Sequence, residues 1–306
     1  MRVLITGSNG FIGSHVCKAL LEKNHEVFGI SRGKECKQSK LLTKTGRLHY
    51  ESCNLNSLTR LQEIIKKNNI ESVIHLAAYP TYGSTDPSHN VPCLENNVVG
   101  TLNTIHACFL SGVKNFIYAS AMGVYGKPLY LPVNEEHPKN PKDFHSLTKL
   151  QGEEYCRLYS QYHGINSIIL RCAGVYGPGK EKGAVHNFFH NVLNGKLPKI
   201  SSGGNQTRDL VYVADIVDAT LNALKIIKDT RYDTFNIGSG REISINELLK
   251  RIIEISESDI DFNYIPDKSN DRFVLDIKKA KNKLDYNPRD LGTALKDFLI
   301  NIKSGV

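Results

Sequence analysis

The stretch Thr6-Gly7-Ser8-Asn9-Gly10-Phe11-Ile12-Gly13 decides the fold of this 306-residue chain. Its glycines, spaced as G-x-x-G-x-x-G, lie between a predicted strand at Arg2–Thr6 and a predicted helix at Phe11–Lys23. Glycines in such a turn let the backbone approach a pyrophosphate closely, and the amides at the start of the helix stabilise its negative charge. The stretch therefore predicts the first strand-turn-helix unit of a dinucleotide-binding sheet.

Short β-branched runs alternate with helix-like segments as far as Arg171. Further strands are predicted at Glu26–Ile30, Leu48–Glu51, Ser72–Leu76, Lys114–Ala119 and Asn166–Arg171, and helices at Ser57–Asn68, Val91–Gly112 and Asp143–His163. The strands are apolar without alternation, which is typical of parallel strands covered on both faces. The pattern predicts an α/β fold with a doubly wound, Rossmann-type parallel sheet, whose ligands bind at the carboxyl ends of its strands.

The regular alternation of strands and helices ends after Gly177, where turn-forming clusters of Pro, Gly and Ser interrupt it. We predict a dinucleotide-binding domain over residues 1–177, joined by 208–240, and a smaller C-terminal α/β substrate-binding domain over 178–207 and 241–306. Strands predicted at Leu210–Val213 and Thr234–Ile237 are expected to return to the main sheet.

Composition narrows the class of protein. Apolar residues make up 40% and charged residues 23% of the chain, which indicates a folded globular protein rather than a disordered one. No apolar run approaches the ~18 residues of a transmembrane helix, and no signal peptide is recognisable. The seven scattered cysteines include no C-x-x-C pair, so we expect reduced thiols in a cytoplasmic protein without a structural metal. The net charge of +8 suits an anionic ligand as well as nucleic acid, but no nucleic-acid-binding motif is present.

Several further motifs lie in a fixed order along nearly the whole chain. They are T-G-x-x-G-F-I-G-S-H at Thr6–His15, V-I-H-L-A-A at Val73–Ala78, N-V-V-G-T at Asn97–Thr101, V-Y-G at Val124–Gly126, V-Y-G-P-G at Val175–Gly179, R-D-L-V-Y-V-A-D at Arg208–Asp215 and N-I-G-S-G at Asn236–Gly240. With these motifs the chain resembles the extended short-chain dehydrogenase/reductase family, the NAD-dependent epimerases and dehydratases that act on nucleotide-linked sugars.

The resemblance implies a set of site residues and partners. A nucleotide-diphosphate sugar is the expected substrate, with Tyr125, Arg208 and Arg272 as its binding residues. A homodimer is also implied, formed by the helices Val91–Gly112 and Asp143–His163. The residues expected to bind the cofactor are Gly7, Gly10, Phe11, Ile12, Gly13, Leu55, Leu76, Ala77, Ala78, Asn97 and Lys149.

The cofactor residues depart from the family at the second strand. NAD-using members end this strand with an Asp that binds the adenosine ribose, whereas this chain has Ser31 followed by Arg32. A carboxylate would repel a 2′-phosphate, while Ser and Arg can bind one, so we predict NADP in preference to NAD unless Arg32 only stacks on adenine. Asn54 replaces the family's adenine-contacting Asp, and its side-chain oxygen can still accept from the adenine amino group.

The catalytic residues depart further. The family uses Tyr-x-x-x-Lys on a helix and a Ser or Thr three residues before the Val of V-Y-G. Lys149 is retained here, but His145 replaces the Tyr and Ala121 replaces the hydroxyl residue. His145 and Lys149 share one helical face, and an imidazole with an ordinary pKa near ~6.5 can transfer a proton at neutral pH. We therefore predict His145 and Lys149 as catalytic residues, with the neighbouring Ser120 as the available hydroxyl.

Two functions remain open at this point. The first is an NAD(P)-dependent epimerase or reductase of nucleotide sugars with an atypical His-x-x-x-Lys site, in which Tyr82 or Tyr125 could also supply a phenol. The usual Asp-Glu pair of a dehydratase is replaced by Met122-Gly123, which disfavours dehydration. The second is a cofactor-binding pseudoenzyme or regulatory subunit that has lost redox turnover together with its Tyr and Ser/Thr.

Overall fold

A computed structural model describes residues 1–33, 46–81, 84, 86–198, 200, 202–260 and 271–304 of the chain. Seven of its strands form one sheet. These strands are β1 (Arg2–Thr6), β2 (Glu26–Ser31), β3 (Leu48–Ser52), β4 (Ser72–His75), β5 (Asn115–Ala121), β6 (Asn166–Cys172) and β10 (Tyr232–Ile237). Their order in the sheet is β10-β6-β5-β4-β1-β2-β3. The sheet confirms the predicted doubly wound α/β fold.

The strand order reverses between β1 and β4. From β1 the chain proceeds through β2 to β3 on one side, and from β4 through β5 and β6 to β10 on the other. The pairings β1–β2, β2–β3, β1–β4 and β4–β5 are parallel, so Thr6, Ser31, Ser52, His75 and Ala121 end their strands at the same edge. Ligands of such sheets bind at this edge, beside the point where the order reverses.

The chain divides into two compact units. The first comprises Met1–Lys127, Pro138–Arg171 and Val217–Phe235, and contains most of the seven-stranded sheet. Its main helices are α1 (Phe11–Glu22), α2 (Leu58–Lys67), α3 (Asn90–Cys93), α4 (Gly100–Leu110) and α5 (Phe144–His163), and a π-helical segment at Leu94–Val99 joins α3 to α4. The apolar residues of α2, α4 and the strands form one core, as the helical spacing of Leu61, Ile64 and Ile65 predicts.

The second unit comprises Pro128–His137, Cys172–Ile216 and Asn236–Val306. Two small sheets lie within it: β7 (Gly174–Tyr176) pairs with β9 (Leu210–Tyr212), and β8 (Thr207–Arg208) pairs with β11 (Ile243–Ser244). Its core is built from apolar residues of the helices α6 (Ala184–Leu193), α8 (Ile245–Ile255) and α10 (Leu291–Ser304). The remaining helices are α7 (Val213–Ile226), which starts in this unit, and α9 (Lys278–Leu284).

One expectation about this region needs correction. The strand predicted at Leu210–Val213 does not return to the main sheet, because β9 pairs in parallel with β7. Residues 128–137 belong to the second unit. There Val133 donates its amide to Val274 over 2.8 Å and accepts from Asp276 over 2.8 Å. The strand predicted at Thr234–Ile237 does join the main sheet, as β10.

Three global features concern only the described part of the chain. None of its helices is both long and apolar enough to cross a membrane. Its cysteines, at positions 17, 53, 93, 108, 156 and 172, are buried free thiols. No three or more His, Cys, Asp or Glu side chains in these residues are arranged to hold a metal ion.

Candidate active site

The glycine-rich turn joins β1 to α1 in a conformation that side chains would obstruct. Gly7 has a φ of +72°, in the left-handed region that favours glycine. A Cβ on Gly13 would lie 2.1 Å from the carbonyl oxygen of Gly7, so only glycine lets the helix start this close to the turn. Gly10 is the N-cap of α1, and neither a capping side chain nor an acidic residue occupies the first turn. The main-chain amides at the helix start and the helix dipole therefore suit an anionic group.

A cavity of about 330 Å³ lies at the carboxyl edge beside this turn. Among the described residues that line it none is acidic, so these residues place no carboxylate beside a bound phosphate. Eight residues predicted to bind the cofactor line it, namely Gly7, Gly10, Ser31, Arg32, Leu55, Leu76, Ala77 and Ala78. The structure thus brings the glycine turn, the end of β2 and the segment after β4 around one space.

Other predicted cofactor residues have different surroundings. Asn54 is exposed, and its side-chain oxygen accepts from the amide of Asn56 over 3.1 Å in a local turn. Asn97 is buried within the π-helical segment. Its side-chain oxygen accepts from the Tyr79 amide over 2.6 Å, and its side-chain nitrogen donates to the Tyr79 carbonyl over 3.2 Å. Its amide also donates to Thr148 over 3.1 Å. Asn97 therefore fixes the chain after the cavity-lining residues.

The side chain of Ser31 is held by a residue that sequence reasoning missed. Its hydroxyl lies 2.7 Å from the phenol oxygen of Tyr50, which donates to the carbonyl of Gly33 over 2.6 Å and accepts from Asn9 over 2.9 Å. Tyr50 thereby joins the end of β2 to the glycine-rich turn. The exposed Arg32 follows directly, at the wall of the cavity. A tyrosine on a neighbouring strand carries no motif that would reveal this contact.

His145 and Lys149 lie one turn apart on α5, which Asp143 caps by accepting from the amide of Ser146 over 2.8 Å. The ammonium of Lys149 is buried, donates to the carbonyl of Ala119 over 2.7 Å and lies 5.0 Å from the centroid of the Tyr118 ring. Burial and the Lys149 charge lower the pKa of His145 to about 4, although the Asp143 carboxylate and a main-chain hydrogen bond to Tyr79 act in the opposite direction and raise it. His145 is thus neutral at pH 7.

The Nδ1 atom of His145 is buried and has no hydrogen-bond partner among the described residues. An unprotonated ring nitrogen can accept a proton from a hydroxyl that comes within hydrogen-bond distance, and in this structure the atom is buried. The alternative phenol at Tyr82 lies outside the described residues.

The hydroxyl groups of Ser120 and Tyr125 are hydrogen-bonded within a buried network and are not exposed. Ser120 donates to Glu153 over 2.6 Å, and Glu153 forms a two-pronged ion pair with Arg171, with N–O distances of 2.7 and 2.9 Å. Arg171 in turn donates to the phenol of Tyr125 over 2.8 Å. Each of these four side chains is at most 4% exposed. The network ties β5 and β6 to α5, and sequence reasoning missed Glu153 and Arg171.

The predicted substrate arginines lie in the second unit. Arg208, on β8, lines a cavity of about 730 Å³ whose wall includes Asn187, Lys196 and Gln206. Arg272 is 60% exposed and forms a two-pronged ion pair with Glu242, at 2.5 and 2.7 Å. That pairing lowers the pKa of Glu242. A cationic and amide-rich wall is suited to a phosphorylated ligand.

The model of the NAD dependent epimerase/dehydratase family matches residues 3–238, and the chain belongs to this family. The resemblance predicted from the motifs is confirmed, and so is membership of a family of NAD-binding enzymes. A curated relative from Methanocaldococcus jannaschii, provisionally named a UDP-glucose 4-epimerase, is 35% identical over 308 residues, which cover 96% of each chain.

Solved structures extend this similarity to the whole fold. UDP-glucose 4-epimerase from Thermotoga maritima, in complex with UDP-glucose, has a TM-score of 0.89 and 30% identity, and the match covers 100% of this chain and 99% of that one. UDP-glucuronic acid 4-epimerase from Bacillus cereus, in complex with UDP-glucuronic acid and NAD, has a TM-score of 0.89 and 30% identity over 100% of both chains.

Proposed function

We propose that the chain is an NAD(P)-dependent epimerase of a nucleotide-diphosphate sugar, in which His145 replaces the family's tyrosine as the proton-transferring residue. The observation that carries the proposal is the neutral imidazole of His145, with an unpartnered Nδ1, one turn before the buried ammonium of Lys149. The similarity to epimerases over the whole chain supports the reaction class.

The chemistry assigns a proton transfer to His145. Bound NAD(P) would supply hydride exchange with a sugar carbon. As a sugar hydroxyl becomes a carbonyl it loses its proton, and the neutral ring of His145 can accept that proton and later return it. A base with a pKa near 4 accepts protons weakly at pH 7, so we expect slow turnover.

The cavity of about 330 Å³ beside the glycine-rich turn, here called the cofactor cavity, supports binding of a nicotinamide dinucleotide, and its residues favour NADP over NAD. The uncapped start of α1 and the absence of a side chain at Gly7 and Gly13 suit a pyrophosphate. The exposed Arg32, and the lack of acidic side chains among the described residues that line the cavity, suit an additional 2′-phosphate. Arg208, at the wall of the larger cavity, supports a diphosphate-bearing substrate.

The decisive experiment compares His145 with Tyr and Phe at the same position. The protein and its His145→Tyr and His145→Phe variants are titrated with NADPH and NADH by nicotinamide fluorescence, then assayed with UDP-glucose and UDP-glucuronic acid. We expect binding in all three, tighter for NADPH, with turnover lost in His145→Phe and faster in His145→Tyr. The Phe and Tyr variants differ only in a hydroxyl, so their difference isolates proton transfer from packing.

Three outcomes would contradict these proposals. Unchanged turnover in His145→Phe would remove His145 from the reaction. Cofactor binding without turnover across a broad set of nucleotide sugars would favour the non-catalytic cofactor-binding subunit. Tighter binding of NADH than of NADPH would overturn only the argument that Arg32 binds a 2′-phosphate.

We further propose a cytoplasmic homodimer. Buried free thiols are typical of a reducing compartment. Large apolar side chains are exposed on the helices expected to pair, namely Val91 (61%), Leu94 (51%), Leu158 (39%) and Tyr162 (67%). Light scattering that gives a monomer at micromolar concentration would refute the dimer.

A further inference from the structure

A row of buried polar side chains lies beneath the carboxyl ends of β1, β4 and β5. Its members are Thr6, His75, Thr101 and Tyr118, each at most 1% exposed. Nδ1 of His75 lies 3.0 Å from the Thr6 hydroxyl, and Nε2 lies 3.0 Å from the Thr101 hydroxyl. Burial raises the pKa of the Tyr118 phenol, and hydrogen bonding from the neighbouring Thr101 hydroxyl opposes that rise. The row ends at main-chain groups on both sides, the amide of Ala77 and the carbonyl of Lys149.

The carbonyl of Lys149 fixes the direction of the hydrogen bonds at one end, because a carbonyl can only accept. Tyr118 therefore donates its single hydroxyl proton to Lys149, over 3.4 Å. Having used that proton, the Tyr118 oxygen can only accept from Thr101. Thr101 in turn has used its own proton, so its oxygen must accept from Nε2 of His75.

The remaining protons follow from the charge of His75. Burial and the nearby Lys149 charge lower the pKa of His75 to about 3, so the ring is neutral and carries one proton. Because that proton is on Nε2, Nδ1 is bare and accepts from the Thr6 hydroxyl. The Thr6 oxygen accepts from the amide of Ala77 over 3.2 Å, so every group in the row is satisfied.

We propose that these hydrogen bonds run in one direction from Ala77 to Lys149, and that His75, held as the Nε2–H tautomer, is a positioning residue for both ends. Ala77 lines the cofactor cavity, and the Lys149 ammonium lies over the Tyr118 ring, whose hydroxyl the row orients. Stacking of His75 on Phe116 and Tyr118, with ring centroids 5.8 Å apart in each case, fixes the plane of the imidazole. The effect of this positioning on catalysis rests on the function proposed above. The tautomer of His75 does not depend on that function.

The test uses Thr101→Val, which removes the hydroxyl at nearly constant shape, with Thr101→Ser as the control that keeps it. Ring ¹⁵N NMR of the full-length, histidine-labelled protein reports the tautomer, and the signals of His75 are identified by their loss in His75→Gln. We expect Nε2–H in the parent and in Thr101→Ser, unchanged between pH 5 and pH 8. In Thr101→Val the proton should move to Nδ1, because valine cannot accept while the Thr6 hydroxyl can.

Cofactor titration supplies the second readout. Thr101→Val breaks the hydrogen bonds that Thr101 makes in the row. NAD(P)H binding should therefore be roughly fivefold weaker than in Thr101→Ser, as expected for one net hydrogen bond. If Thr101→Val does not fold, Tyr118→Phe serves in its place. Without the Tyr118 oxygen the Thr101 hydroxyl loses its acceptor and turns to Nε2, so the same change to Nδ1–H is expected.

The proposal is overturned by an Nδ1–H tautomer in the parent protein or by protonation of His75 within this pH range. It is also overturned if Thr101→Val matches Thr101→Ser in both tautomer and cofactor affinity. A parent protein that binds neither NADH nor NADPH would refute the proposed function, while the tautomer measurements would still decide the direction of the row.

Discussion

Replacing Glu153 by Gln should cost the protein much of its stability without removing a residue from the proton-transfer site. Glu153 is 1% and Arg171 3% exposed, and their two hydrogen bonds of 2.7 and 2.9 Å are supported by Ser120 at 2.6 Å. Gln keeps the shape but removes the negative charge that Glu153 places beside the buried guanidinium. Breaking one side of a buried ion pair costs about 3–5 kcal/mol.

The assay is urea denaturation of the parent protein and of the Glu153→Gln and Ser120→Ala variants, followed by circular dichroism, with NAD(P)H titration as the test of the folded state. Ser120→Ala removes one hydrogen bond to a charged group and should cost roughly 1.5–3 kcal/mol. We expect cofactor binding to persist in both variants where they are folded.

Two outcomes would refute this reasoning. A loss below about 1 kcal/mol for Glu153→Gln would show that Arg171 finds other partners or water. Ser120→Ala with unchanged stability but abolished turnover would show that Ser120 acts on substrate, contrary to a structural role.

Two further predictions concern the glycine turn and the buried histidine. Gly13→Ala places a methyl 2.1 Å from the Gly7 carbonyl oxygen and should cost roughly 1–3 kcal/mol and abolish NAD(P)H binding. Gly33→Ala, whose added methyl has no described atom within 4 Å, should be neutral in thermal melts, and equal melting behaviour of the two variants would refute the steric argument. His75 has its pKa lowered to about 3 in the folded state, so below pH 6.5 the unfolded state binds the extra proton and stability falls. From this residue alone, denaturation should show about 2 kcal/mol less stability at pH 5 than at pH 7, and a similar pH slope in His75→Gln would contradict the assignment.

The fold could be predicted because its signals are local. The spacing of Gly7, Gly10 and Gly13 defines a turn that a Cβ would block, and apolar runs define strands buried on both faces. The expectation that Leu210–Val213 returns to the main sheet was wrong, since Leu210–Tyr212 pairs with Gly174–Tyr176. A three-residue strand carries no information about its partner. Partners of short strands are decided by tertiary packing.

The site could be predicted only in part, because hydrogen-bond partners depend on three-dimensional neighbours. The sequence shows that Ser120 stands next to the family's hydroxyl position, but not that its hydroxyl is engaged by Glu153. It shows Asn97 in a family motif, but not that the amide holds the main chain of Tyr79. In each case the decisive partner lies more than ten residues away in the chain and belongs to no recognised motif.

The replacement of Tyr by His at position 145 changes what Lys149 does for the reaction. A nearby ammonium stabilises a phenolate, so it lowers the pKa of a tyrosine from about 10 towards neutrality and makes it a better acid at pH 7. The same ammonium destabilises an imidazolium, so it lowers the pKa of His145 away from neutrality, to about 4. One cation therefore assists a phenol and opposes an imidazole at the same place. This opposition is why His145→Tyr should increase turnover although it replaces the residue proposed to carry the proton.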